Sequence, residues 1–136
     1  MELGLKGKIA LVTGSSRGIG RGIALALADQ GCDLLLTGRD AQALEEVAKS
    51  MRGKGRKAAI CALDLREPNA TETLVAAVRR EFGGLDILVN NAGATKRGDF
   101  FALTDADWRK ATRSSSSPMC GSPARLGRCS RSAAAR

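Results

Sequence analysis

The 136-residue chain has the length of one domain with a modest core, and its 43% hydrophobic and 26% charged content is ordinary for a globular protein. No run of about 18 apolar residues occurs, which excludes a membrane-spanning helix, and the N-terminus lacks a signal-peptide pattern, so a cytoplasmic location is expected. The net charge of +8 is unevenly placed: residues 1–108 hold 15 Lys and Arg against 14 acids, whereas residues 109–136 hold 7 basic residues and no acid. Two compositions therefore share the chain, a balanced domain over 1–108 and a basic Ser/Arg/Ala-rich tail over 109–136.

Residues 7–13 (GKIALVT) suit a fully buried strand. The strand runs into a loop with Gly14, Gly18 and Gly20, after which Ile19, Ile23, Ala26 and Leu27 recur at helical spacing until Gly31 closes the helix. Residues 33–37 (DLLLT) predict a second strand. Residues 41–54 predict a second helix, with the stripe Leu44, Val47, Ala48 and Met51 and with Asp40 as N-cap. A third strand over 57–63 (KAAICAL) precedes a third helix over 69–82, striped by Leu74, Val75, Val78 and Phe82, and a fourth strand over 85–89 (LDILV) enters NNAG. Strands alternating with helices of this length predict an α/β fold, a Rossmann-type parallel sheet with helices on its faces. Thr104 and Asp107 spell a capping box, with Leu103 and Trp108 placed for a hydrophobic staple, so a helix is announced near residue 105. No apolar stripe continues beyond Trp108, and Pro118 opposes a helix interior, so the tail is expected to be disordered.

Cys32 and Cys61 read as small buried hydrophobes. The absence of histidine and of any CxxC spacing argues against a zinc site. The glycine loop is a different matter. A helix beginning just after a strand offers unpaired N–H groups and about half a positive charge, and glycines let the backbone approach a diphosphate. The spacing is G-x3-G-x-G, which differs from the commoner G-x-G-x-x-G dinucleotide fingerprint.

Taken together, TGSSRGIG, the basic residue after strand two, DL after strand three and NNAG after strand four resemble the short-chain dehydrogenase/reductase family, classical type, over about residues 5–108. The resemblance implies that Gly14, Ser15, Ser16, Arg17, Gly18, Ile19 and Gly20 wrap the diphosphate and adenosine ribose of a nicotinamide cofactor. It implies that Asp64 and Leu65 lie beside the adenine, and that Asn91, Ala92 and Gly93 pass close to the ribose and nicotinamide, with Asn90 bracing the sheet. Relatives that prefer NAD carry an acid after strand two; here Gly38 takes that place with Arg39 beside it. Arg17 and Arg39 would then grip a 2′-phosphate from two sides, so NADP(H) is the expected cofactor and NAD the less favoured one.

The same resemblance implies hydride transfer between the cofactor and a small carbonyl or alcohol substrate. Its proton chemistry rests on a Tyr-x-x-x-Lys pair, an earlier serine and a relaying asparagine. The sequence contains no tyrosine and no asparagine after Asn91, and the serines at 114–117 stand in a polar run, so no catalytic residue is assigned and little or no turnover is expected. The helices that usually form the family's dimer face have no counterpart here, and strand four is expected to be an open edge. Two origins compete for the tail: a reading frame lost near residue 109, the favoured one, and a natural basic arm. The arm lacks aromatics and ordered arginines, which argues against specific nucleic-acid recognition. The alternative to an oxidoreductase by descent is a non-catalytic NADP(H)-binding or interaction module.

Overall fold

Four short apolar runs pair in parallel to make one sheet in this computed structural model, which describes residues 3–93 and 104–107. The strands are β1 (Ile9–Thr13), β2 (Asp33–Gly38), β3 (Ala58–Ala62) and β4 (Ile87–Val89), in the order β3-β2-β1-β4. The helices between them are α1 (Gly18–Asp29), α2 (Ala41–Arg52) and α3 (Ala70–Phe82). The chain therefore winds outward from β1 through β2 to β3, then returns to place β4 on the other side of β1. In a sheet of this kind such a reversal of strand order is where a crevice opens, here at the C-terminal ends of β1 and β4.

Both faces of the sheet are covered, which is why β1 and β2 read as unbroken apolar runs. Side chains alternate across the pleat. Ala10, Val12, Leu34 and Leu36 pack with Ala24, Ala28, Leu44, Val47, Ala48 and Met51 from α1 and α2. Ile9, Leu11 and Leu35 pack on the opposite face with Leu74, Ala77 and Val78 from α3. Each fully buried Leu or Ile in this set contributes about 1.5–3 kcal/mol.

The parallel sheet with flanking helices is the architecture expected from the sequence, with differences at the ends. The first strand begins at Ile9 because Gly7 turns the chain at φ 75° and its N–H bonds to the Gly31 carbonyl. The fourth begins at Ile87, where Asp86 instead clasps the start of β1: its N–H donates to the Ile9 carbonyl at 2.9 Å and its Oδ2 accepts from the Ile9 N–H at 2.8 Å. The stripe on α2 is buried as expected, and Asp40 Oδ1 accepts from the Ala43 N–H at 3.1 Å as its N-cap. On α3 the buried residues are Ala70, Leu74, Ala77 and Val78, with Val75 and Phe82 only partly covered.

The stripe expected on α1 is corrected. Its buried residues are Gly20, Ala24 and Ala28, at a spacing of four, while Ile19 is 76% exposed and Ile23 and Leu27 are partly covered. Small side chains bring α1 close to the sheet, and that proximity decides the face more strongly than hydrophobicity does. At the other end of the chain, Thr104 and Asp107 do form the capping box: Thr104 N–H and Oγ1 donate to Asp107 Oδ2 at 3.1 and 2.9 Å, and Asp107 N–H donates to Thr104 Oγ1 at 3.3 Å. The staple of Leu103 with Trp108 and the whole tail lie outside the described residues.

Candidate functional site

The loop from β1 to α1 is built around two glycines that no other residue can replace cheaply. Gly14 sits at φ 66°, and a Cβ there would lie 3.1 Å from Ala92 Cα. Gly20, in the first turn of α1, has no room at all: a Cβ would lie 2.2 Å from the Gly14 carbonyl oxygen and 2.5 Å from Asn91 Nδ2. The loop thus folds back on its own helix, and β4's exit packs against it. Ser15 is buried and ties the loop to the end of β2. Its N–H donates to the Thr37 carbonyl at 3.0 Å, and its Oγ accepts from the Thr37 N–H at 3.1 Å.

Past Ser15 and Ser16 the chain surfaces. Arg17 occupies the N-cap position of α1 in extended conformation (φ −158°, ψ 174°), and its side chain makes no capping bond. The first turn of α1 carries no acid. The partial positive charge of the helix start is therefore not offset by a side chain of the helix itself, which favours an anion placed there. Arg17, Gly18 and Ile19 are all exposed at this point.

The ends of β2 and β3 form the neighbouring rim. A Cβ at Gly38 would stand 3.4 Å from Ser16 Oγ, so β2's last residue abuts the glycine loop directly. Arg39 follows it and is exposed. Leu63 N–H donates to the Gly38 carbonyl at 2.9 Å, which carries the pairing of β2 with β3 one residue past the strand and brings Asp64 alongside this rim. Asp64 is bound by Arg66. Oδ1 accepts from the Arg66 backbone N–H and Nε, both at 3.0 Å, and Oδ2 accepts from Nη2 at 2.5 Å. These bonds, with the charge of Arg66 and a smaller effect of Arg39, hold the Asp64 carboxyl down at about 2. Leu65 is partly buried against the α3 face of the core.

The third wall is the exit of β4. Asn91 and Ala92 both donate backbone N–H groups to Thr13 Oγ1 at 2.9 Å, and Thr13 Oγ1 donates to the Val89 carbonyl at 3.3 Å. Asn91 Nδ2 donates to the carbonyls of Thr13 at 3.1 Å and Gly14 at 3.3 Å. Asn91 thus takes part in the bracing expected of Asn90. Ala92 supplies the small side chain against Gly14, and Gly93 is exposed beyond it.

The structure therefore brings the predicted residues together at the C-terminal end of one sheet: Gly14, Ser15, Ser16, Arg17, Gly18, Ile19 and Gly20 after β1, Arg39 after β2, Asp64 and Leu65 after β3, and Asn91, Ala92 and Gly93 after β4. Their roles are not alike. Ser15 and Asn91 are consumed in holding the crevice open, whereas Arg17, Ile19 and Arg39 are free of such duty in its walls. Two contributors escape the sequence reading. Thr13 is the hydrogen-bond hub beneath the loop, and a threonine ending a strand before a glycine loop is the signal that points to it. Arg66 is the partner of Asp64, signalled only by its spacing of two residues.

These residues fit a dinucleotide phosphate: a backbone cradle where a Cβ would collide, an uncapped helix start and two arginines at the rim. Another concavity, a cleft of about 540 Å³ lined by Lys6, Asp29, Gly31, Lys54 and Arg56, lies at the opposite end of the sheet. Lys54 pairs there with Asp29, and Arg56 donates to the Gly31 carbonyl. Burial raises the thiols of Cys32 and Cys61, so neither is an activated nucleophile. No helix among the described residues is long and apolar enough to cross a membrane.

Comparison with known proteins agrees with this geometry. The sequence profile described as short chain dehydrogenase matches residues 8–119, running past Trp108 where the motif resemblance stops. The chain is 39% identical over 105 residues to 2,3-dihydro-2,3-dihydroxybenzoate dehydrogenase of Bacillus subtilis, covering 77% of this chain and 40% of that protein. It is 39% identical over 104 residues to gluconate 5-dehydrogenase of Gluconobacter oxydans, covering 76% and 41%. L-sorbose reductase from Gluconobacter frateurii, solved in complex with NADPH and L-sorbose, superposes with a TM-score of 0.70 at 39% identity, covering 80% of this chain and 42% of that one. The chain thus spans about two fifths of the length of these relatives. With its profile match, its sheet order and its glycine cradle in agreement, the chain belongs to the short-chain dehydrogenase family of oxidoreductases.

Proposed function

We propose that this chain is the NADP(H)-binding part of a short-chain oxidoreductase acting on a small carbonyl or alcohol substrate. The observation that supports this reading is the rim: Gly38, at the position where the family resemblance puts an NAD-selecting acid, abuts Ser16 of the Gly14–Gly20 loop, and the exposed Arg39 follows it. The solved reductase that holds NADPH supports the choice of cofactor.

Each wall has a task in this reading. Backbone N–H groups at Gly18, Ile19 and Gly20 receive the diphosphate at the helix start. Arg17 and Arg39 take the 2′-phosphate, where charge-assisted bonds are about twice as strong as neutral ones. Ile19 offers an apolar contact, Asp64 and Leu65 flank the adenine, and Ala92 and Gly93 leave room near the nicotinamide. A nicotinamide cofactor bound there supplies the hydride. The chain itself contains no tyrosine or histidine, and no Tyr-x-x-x-Lys pair to move the proton, so it binds without sustained turnover.

Titration of the purified chain with NADPH and NADH, alongside a reduction assay on a panel of small carbonyls, tests the proposal. Tighter binding of NADPH without turnover is the expected result. Binding of neither cofactor by folded protein contradicts it.

A further inference from the structure

We infer that Arg66 is a specificity-determining residue: by neutralising Asp64 at the rim, it keeps Arg39 available for the 2′-phosphate of NADP(H). The inference rests on the cofactor reading above and deepens it.

The ends of β2 and β3 lie side by side. The bond from Leu63 N–H to the Gly38 carbonyl makes Arg39 and Asp64 the next residues outward on adjoining chains. Asp64 thereby places a carboxylate beside the very arginine that an incoming phosphate needs. An unpaired carboxylate here would act twice against NADP(H). It would draw Arg39 into an ion pair, and it would repel a phosphate carrying nearly two negative charges. Asp40, next to Arg39 in the chain, is already committed, with Oδ1 bonded to the Ala43 N–H at the start of α2.

Arg66 removes the conflict. Its backbone N–H and Nε reach Oδ1, and its Nε and Nη2 reach Oδ2, at 2.5–3.1 Å, so both carboxylate oxygens are occupied by one residue two positions away. The Arg66 side chain is 78% exposed and the Asp64 side chain 26% exposed. A pair this open adds little to folding stability. Its consequence is local charge: it turns the rim from two opposed charges, Arg39 and Asp64, into a net cationic edge.

The test is a set of binding titrations with NADPH and NADH on the full chain and its Arg66→Ala, Arg66→Lys and Asp64→Asn/Arg66→Ala variants, each checked for native melting. Arg66→Ala should lower the preference for NADPH over NADH about three- to fivefold, the size of one screened surface charge. Arg66→Lys should keep most of that preference. The double variant should restore it, because the offending carboxylate is gone. A structural role alone would weaken both cofactors together, so equal losses for NADPH and NADH, no change, or failure of Asp64→Asn to restore the preference overturns the inference. A wild-type chain that shows no preference for NADPH overturns the cofactor reading itself, and this inference with it. A wild-type preference that Arg66→Ala leaves intact overturns only the inference.

Discussion

Thr13 and Asn91, 78 positions apart in sequence, are joined by two hydrogen bonds: the Asn91 N–H reaches Thr13 Oγ1 at 2.9 Å, and Asn91 Nδ2 reaches the Thr13 carbonyl at 3.1 Å. With the Ala92 N–H also on Thr13 Oγ1 and the Val89 carbonyl accepting its proton, that one hydroxyl uses its donor and both acceptor sites. It fixes how far the exit of β4 stands from the glycine loop. Thr13→Val strips the Ala92 N–H of its partner and leaves the Asn91 N–H only the Val89 carbonyl at 3.2 Å, and should cost about 1–3 kcal/mol of stability, the cost of one buried unpaired group. Thr13→Ser should recover most of the loss. Denaturant unfolding of the three proteins checks this, and binding of NADPH and NADH should weaken alike because the defect is in the wall they share.

Two glycines two positions apart make a sharper contrast. Gly20→Ala forces a Cβ to within 2.2 Å of the Gly14 carbonyl oxygen, whereas Gly22 has nothing within 4 Å of the corresponding point. Overpacking at Gly20 should cost about 1–3 kcal/mol and distort the phosphate cradle, abolishing cofactor binding. At Gly22 the same change should stabilise α1 by about 0.5–1 kcal/mol and leave binding intact. Thermal melts and cofactor titrations on the two variants check the pair.

Arg39→Ala should weaken NADPH about tenfold and hardly touch NADH, since a charge-assisted phosphate bond contributes about 1.5–3 kcal/mol before solvent screening reduces it. Gly38→Asp should tilt the preference toward NADH. Its Cβ meets Ser16 Oγ at an ordinary 3.4 Å, so the change acts through charge rather than collision. Equal effects on both cofactors would remove Arg39 from the 2′-phosphate.

Asp64 gives the pH dependence. Its carboxyl is held at about 2, below the ordinary value of 3.8, because Arg66 bonds the charged form. The folded state thus binds this proton less readily than the unfolded state. Its stabilising contribution is complete above the ordinary value and is lost as pH falls from 3.8 toward about 2. The difference in melting temperature between wild type and Asp64→Asn should therefore shrink across that window and stay level above it. A difference that grows on acidification would contradict the pairing.

Much of this was legible from residues alone. The apolar runs announced the strands, and the α2 stripe with its Asp40 cap was fully specified because capping and periodicity pointed the same way. The α1 face was misread because a helix pressed closely on a sheet selects Gly20, Ala24 and Ala28 over the larger Ile19. The site's membership followed from motif order, yet its internal division of labour did not. Nothing local in NNAG tells which asparagine side chain reaches back to β1, and nothing in Asp64 alone foretells that Arg66 occupies both its oxygens. Those facts depend on register between distant strands and on a turn two residues long.

The most direct measurement is a map of backbone amide shifts in the full chain as NADPH is added. The largest changes should fall on Gly14 to Gly20, Arg39 and Ala92, with saturation at lower concentration than for NADH. Changes centred instead on Lys6, Gly31 and Arg56, at the far end of the sheet, or no changes in a folded sample, would contradict cofactor binding at the glycine loop.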